Sequence, residues 1–240
     1  MLEADPVLGA VIATYPVDRT RLLLPAVALV VLVGTALNFT LAEAPGWGPP
    51  VTAGLTALVA LAAGWAVLHL WNREIILYQN GFSYREGSRV VFFHYAEIRS
   101  IRQRAEVYAY FGGLLRRTVH RLTLTTIQEQ RIVVGGLYRR VGDMGMRLEN
   151  HILREIAPAV RDRLAKGQRV PFSDTLHLSA DGLHEGGRDL PWADFGDYRT
   201  SGGRLALLTA GGEVWFSLPL EAVDNVMLLI GLLREKKAPA

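Results

Sequence analysis

Two long uncharged runs constrain this chain more than any other feature. Leu22 to Ala42 and Val51 to Trp71 each hold 21 residues without a charged side chain. As helices, each run reaches roughly 30 Å, the thickness of a bilayer's hydrocarbon core. The segment between them, Glu43-Ala-Pro-Gly-Trp-Gly-Pro-Pro50, is built from helix breakers, so the two runs form a transmembrane helical hairpin. A cleavable leader does not fit, because the first run starts after twenty mixed residues, is too long and lacks a small-residue cleavage site. Arg19 and Arg21 precede the first span, Arg73 follows the second, and the connection carries no Lys or Arg. That asymmetry places both termini on the cytoplasmic side of a cell membrane. Trp47, His69 and Trp71 suit interfacial depths, and Trp65 is expected to pack inward. Thr56, Ala60 and Gly64 form a stripe of small residues that lets helices approach closely, either within the hairpin or in a homodimer of hairpins.

The remaining composition excludes several chemistries. The chain has no cysteine, which removes disulfides, thiolate metal sites and thiol nucleophiles. Half of its 240 residues are hydrophobic and 20% are charged, a balance that excludes disorder as the main state. The net charge of +3 divides unevenly, with −2 on residues 1–71, +9 on 72–170 and −4 on 171–240. The middle of the chain therefore carries the basic character that an anionic partner would meet.

After Arg73 the pattern changes to short β-rich runs. Ile75–Gln79 and Phe82–Arg85 flank Asn80-Gly81, a pair that favours positive φ in a tight hairpin. Val90–Tyr95, Ile98–Tyr110, Thr118–Thr126 and Gln130–Val134 follow. A helix over about Val141–Lys166 buries Met144, Leu148, Ile152 and Ile156, with Pro158 expected to break or kink it. The same order then recurs. Leu176-His-Leu-Ser-Ala-Asp-Gly-Leu-His184 matches the Asn80-Gly81 hairpin. Pro191-Trp-Ala-Asp-Phe195 matches His94-Tyr-Ala-Glu-Ile98, and Arg204-Leu-Ala-Leu-Leu-Thr209 matches Arg121-Leu-Thr-Leu-Thr-Thr126. A final helix over about Leu220–Lys236 is expected to bury Val223, Val226, Met227 and Ile230. Three matched blocks in one order indicate an internal repeat.

A meander of six or seven short strands closed by an amphipathic helix resembles the pleckstrin-homology-like (PH-like) superfold. The whole chain resembles bacterial membrane-anchored proteins of unknown function with tandem PH-like domains. The markers are the Asn/Asp-Gly first hairpin, the aromatic-Ala-acidic step at Tyr95-Ala-Glu97 and Trp192-Ala-Asp194, and the closing helices. The resemblance implies an α+β fold: a cytoplasmic segment (1–21), a transmembrane hairpin (22–71), a basic PH-like unit (72–168) and a shorter acidic one (172–238). Each unit would be a β-barrel or sheet closed by a C-terminal helix. Phosphoinositide-binding members carry basic residues at the first hairpin, whereas here Arg85 is the nearest cation to Gln79-Asn80-Gly81.

A search for chemistry finds no phosphate loop, dinucleotide fingerprint or nucleophile elbow. The Gly-Gly pairs sit at strand ends. His151 and Glu155 share a helix face at i, i+4, but lack a third metal ligand. No catalytic, cofactor-binding or metal residue is assigned, and no cofactor is expected. Tyr110-Phe-Gly-Gly-Leu-Leu-Arg-Arg117 reads as an apolar loop tip with a basic collar, suited to a lipid interface. Phe111, Leu114, Leu115, Arg116 and Arg117, with Arg102 and Arg104 on the adjoining strand, are the candidate membrane-surface contacts. The expected function is a non-catalytic, membrane-anchored binding or scaffold module that docks a protein partner or anionic lipid headgroups, not nucleic acid. The alternative is a subunit of a membrane enzyme or transport complex.

Overall fold

A computed structural model describes residues 5–41, 46–110 and 115–237, with the backbone alone over 105–110 and 115–120. The chain divides into two compact units, residues 1–93 with 137–141, and residues 94–136 with 142–240.

The first unit begins with a strand the sequence did not announce. β1 (Val11–Pro16) leads through two residues into helix α1 (Arg19–Leu41), and α2 (Gly48–Trp71) leads through two more into β2 (Glu74–Tyr78). β1 and β2 pair antiparallel, with Tyr15 opposite Ile75 and Pro16 opposite Glu74. β3 (Gly81–Glu86) and β4 (Arg89–His94) complete a sheet of order β1-β2-β3-β4. Residues 11–16 are thus part of a sheet rather than of a plain lead segment. Their outline was hidden because the turn joining them to their partner is replaced by residues 17–73. Leu8, Tyr15, Ile75, Leu77 and Phe82 are buried.

α1 and α2 are both long and apolar enough to span a membrane. Their apolar side chains point outward: Leu32 is 68% exposed, Phe39 80%, Leu61 74% and Trp65 70%. Trp65 therefore does not pack inward, and it stacks on His69 at 5.7 Å. Of the small-residue stripe, Thr56 faces α1, while Ala60 and Gly64 are exposed. A Cβ at Gly34 would lie 3.2 Å from Thr56 Cγ2, and Ala60 and Gly64 line an apolar crevice of about 270 Å³ with Leu23, Val27 and Val30.

The second unit holds two three-stranded sheets, a four-stranded sheet and two helices. A 3₁₀ turn over Tyr95–Glu97 leads into β5 (Ile98–Tyr110), β6 (Leu115–Thr126) and β7 (Arg131–Val134), a sheet of order β5-β6-β7. Helix α3 (Val141–Ala165) follows and runs through Pro158 without a break. Pro158 is exposed, so the Arg154 carbonyl that loses its amide partner is left to water. β8 (Val170–Pro171), β9 (Leu176–Leu178), β10 (Gly182–Glu185) and β11 (Arg188–Pro191) form a sheet of order β11-β10-β9-β8. A 3₁₀ turn over Trp192–Asp194, then β12 (Phe195–Ser201), β13 (Arg204–Thr209) and β14 (Val214–Pro219), give the order β12-β13-β14. Helix α4 (Val226–Lys236) ends the described chain.

The matched sequence blocks carry matched hydrogen bonds. Ile127 N–H donates to Glu97 O as Ala210 N–H does to Asp194 O, and Thr126 N–H donates to Gln130 O as Thr209 N–H does to Glu213 O. Glu129 and Gly212 both have positive φ. A register shift falls between Ile98 and Ser100 in one sheet and between Phe195 and Asp197 in the other. The order four strands, 3₁₀ turn, three strands, helix therefore occurs twice, although no sheet closes on itself.

Three local expectations are corrected. Neither Asn80 nor Gly81 has positive φ; the tight left-handed turns lie instead at Gly87, Gly186-Gly187 and Gly202-Gly203. The closing helix starts at Val226, because Asn225 is left-handed (φ 52) and interrupts the expected run from Leu220. Val223 and Ile230 are buried as expected, but Leu228, Leu229, Leu232 and Leu233 are buried with them and Met227 is 52% exposed. Ile156 departs from the Met144–Leu148–Ile152 face. With Leu153, Val160 and Leu164, it packs on the core formed by Val170, Phe172, Leu178, Leu183, Leu207 and Leu229. One helix thus supplies apolar surface to the shorter repeat, which has too few residues to enclose a core alone.

Candidate functional site: an arginine-lined groove

Beyond the register shift at Ile98–Ser100, β7 and the parts of β5 and β6 whose side chains are described alternate. Ile101, Leu122, Leu124, Ile132 and Val134 are buried on one face. Parity puts Arg102, Arg104, Arg121, Thr123, Thr125 and Arg131 on the other. Register aligns them, with Arg102 opposite Thr123, Arg104 opposite Arg121, and Thr125 opposite both Ser100 and Arg131. A groove of about 530 Å³ lies on this face, walled by Glu221, Ala222 and Asp224 from the turn before α4.

The wall is held by charge and by one asparagine. Arg102 presents a fork to Asp224, with Nε to Oδ1 at 2.7 Å and Nη2 to Oδ2 at 3.0 Å. That hydrogen bond raises the Arg102 pKa further, against burial, which lowers it. Arg104 Nε reaches Glu221 Oε2 at 2.6 Å, and Arg99 pairs with Glu129. Asn225 accepts the Ile101 N–H at Oδ1 (3.0 Å) and donates from Nδ2 to Arg99 O (3.2 Å), and its own N–H donates to Ile101 O (2.9 Å). One residue thereby covers the edge of β5 that β6 leaves open. Below the sheet, Glu149 on α3 is buried and accepts from Gln103 Nε2 at 2.6 Å. Burial pushes its carboxyl above the ordinary range, against the pull of the Met227 N–H and Gln103.

The candidate surface residues separate in the structure. Arg102 and Arg104 do share an outward face, as strand parity requires, but both are engaged by carboxylates. Phe111 and Leu114 lie outside the described residues. Leu115, Arg116 and Arg117 belong to β6, opposite Tyr110, Ala109 and Tyr108, so the basic collar is strand rather than loop. β7 pairs only with residues 122–125, and the outer parts of β5 and β6 form a two-stranded ribbon. His151 is stacked on Tyr95 at 4.9 Å and 9°. Its pKa is lowered by burial, then by Arg154 and Arg147.

One arrangement resembles catalytic machinery, and residue spacing does not announce it. Ser179 Oγ lies 2.7 Å from His184 Nε2, and His184 Nδ1 lies 2.6 Å from Asp189 Oδ1. With Nδ1 protonated this is the Ser-His-Asp order of a hydrolase relay. Ser179 is only 6% exposed, however, and its Oγ accepts the N–H groups of Asp181 (3.2 Å) and Gly182 (3.3 Å). A nucleophile must reach a substrate carbonyl, and this hydroxyl is committed to its own turn. The relay locks the β9–β10 hairpin. It arises from the cross-strand pairing of His184 with Asp189, which residue spacing alone does not show.

None of the curated proteins compared with the chain matches it. A family profile does, and it spans the hairpin and both sets of sheets alike: over residues 2–239 the chain belongs to DUF6585, a family of unknown function.

Proposed function

We propose that this protein is a non-catalytic, membrane-anchored binding module, built from two PH-like units and displayed on the cytoplasmic face of the membrane. The observation that carries the reading is the mount. Both ends of the hairpin enter neighbouring strands of one sheet through two-residue links, and Val17 N–H donates to Arg73 O across the mouth of the hairpin. Arg19 lies over the Trp71 ring at 4.7 Å, and Arg73 pairs with Glu86. A sheet held this way stays at headgroup level, so a ligand in or near the bilayer is met at high effective concentration. The exposed apolar surface of α1 and α2 supports insertion, because water tolerates patches of that extent poorly. Arg19, Arg21 and Arg73 at the hairpin mouth support the cytoplasmic side. The twice-repeated element order supports the PH-like assignment.

Crosslinking the full chain in its membrane, followed by detergent purification and mass spectrometry, tests the reading. A discrete protein or lipid adduct on residues of the folded part is expected. Adducts confined to α1 and α2, together with turnover of a small substrate by the purified chain, would overturn it in favour of a subunit of a membrane enzyme.

A further inference from the structure

The groove on β5–β7 carries positive charge that its own carboxylates do not satisfy. Arg99, Arg102 and Arg104 each face an acidic partner. Among the described residues, Arg121 and Arg131 have none, and both are exposed on the groove. Arg121 also sits directly across the ladder from Arg104. Glu221 already takes up the charge of Arg104, so the unanswered charge of this pair is that of Arg121. Arg131 is opposite Thr125, and Thr123 and Thr125 lie half-buried between the two free arginines with hydroxyls on the same face.

The spacing and surroundings narrow the ligand. Arg121 and Thr125 are four residues apart on one strand, about 13 Å at the usual rise. Two guanidinium forks set that far apart on flexible stems suit a ligand with several charged oxygens better than a single carboxylate. The floor between them is threonine, without the aromatic platforms on which unpaired bases stack, so single-stranded nucleic acid has no seat there. Glu129, Asp174, Glu221 and Asp224 also line the groove; they repel an extended acidic peptide while leaving a compact anion room at Arg121 and Arg131.

We infer that this face is a binding site for a phosphoryl oxyanion bearing at least two negative charges, held by Arg121 and Arg131 over Thr123 and Thr125. The inference rests on the reading of the chain as a binding module, and it names the ligand class for one of its surfaces. The same phosphoryl group is available from a soluble phosphate compound or from a monoester lipid headgroup.

The test uses the full chain in lipid nanodiscs, with pyrophosphate titrated by calorimetry. In phosphatidylcholine discs at low salt, pyrophosphate binds, and the affinity falls as salt is raised. The double variant R121S/R131S, checked for an unchanged melting temperature, weakens binding by about tenfold or more, and R121K/R131K loses less. Discs containing phosphatidic acid are then compared with discs of equal charge containing phosphatidylglycerol. A lower pyrophosphate affinity in the phosphatidic acid discs alone identifies the monoester headgroup as the source, and equal affinity in both identifies a soluble ligand. Absence of binding in phosphatidylcholine discs, or unchanged binding by the folded R121S/R131S variant, overturns the site. Crosslinked adducts that persist while pyrophosphate fails would sink the groove and leave the binding-module reading standing.

Discussion

Replacing Asn225 tests how the groove wall is fastened. The side chain satisfies the Ile101 N–H and the Arg99 carbonyl at 3.0 and 3.2 Å, and the residue is 8% exposed at φ 52. Asn225→Ala removes two hydrogen bonds, each contributing about 1 kcal/mol net, and leaves a buried strand N–H unpaired at a cost of about 1 kcal/mol or more. Placing alanine in the left-handed region adds about 1 kcal/mol, a cost that asparagine largely escapes. The sum is a loss of about 4 kcal/mol. Asn225→Gly forfeits the same hydrogen bonds without the backbone strain and should lose about 1 kcal/mol less. Asn225→Asp keeps the acceptor for Ile101 but sets a buried carboxylate oxygen against the Arg99 carbonyl, so it should recover little of the loss. Denaturant unfolding of the detergent-solubilised chain, followed by tryptophan fluorescence, measures all three. An alanine variant within about 0.5 kcal/mol of wild type would refute the hydrogen-bond argument. Equal losses for alanine and glycine would refute the strain.

Glu149→Gln should stabilise the protein at neutral pH. Because burial raises the folded carboxyl pKa, the stability this group contributes is fully present below the ordinary carboxylate range and is lost as pH rises through the raised value. The advantage of the glutamine variant should therefore grow with pH and then level off, and a pH-independent difference in melting temperature would exclude the linkage. Gly182→Ala and Gly196→Ala should each destabilise markedly, since a Cβ would collide with the carbonyl oxygens of Leu190 and Thr209; soluble expression and melting temperature report the effect. Ser179→Ala should cost about 1 kcal/mol of stability through loss of the turn hydrogen bonds. The purified wild type and the variant should be equally inert towards ester substrates; an esterase activity abolished by the substitution would restore the relay to catalysis.

Much of the fold was legible because the repeat is written in local signals. Strand alternation around Leu122 and Leu124, the Tyr95-Ala-Glu97 step and the Met144–Leu148–Ile152 spacing each depend on a few neighbouring residues. What escaped depends on distance along the chain. β1 has its partner only after the hairpin, so no turn residue advertises the pair. The start of α4 turns on the left-handed conformation of Asn225, which is stabilised by hydrogen bonds to β5, more than a hundred residues earlier. The outward parity of Arg102 and Arg104 was readable. Their engagement by Asp224 and Glu221 was not, because it follows from the wall lying over the sheet. Arg121 and Arg131 reach the same face through a register that only strand pairing fixes.

The two-residue links at the foot of the hairpin bear on how a water-soluble version of this protein is to be cut. In the plan of the sheet, residues 17–73 stand where a β-turn would, between Pro16 and Glu74. Starting the chain at residue 72 discards β1, strips Leu8 and Tyr15 from the interior and bares a full edge of β2, an invitation to strand-to-strand aggregation. Excising the helices and rejoining Pro16 to Glu74 through a two-residue Asn-Gly turn keeps that edge paired, and it closes the ladder with a connection hairpins favour.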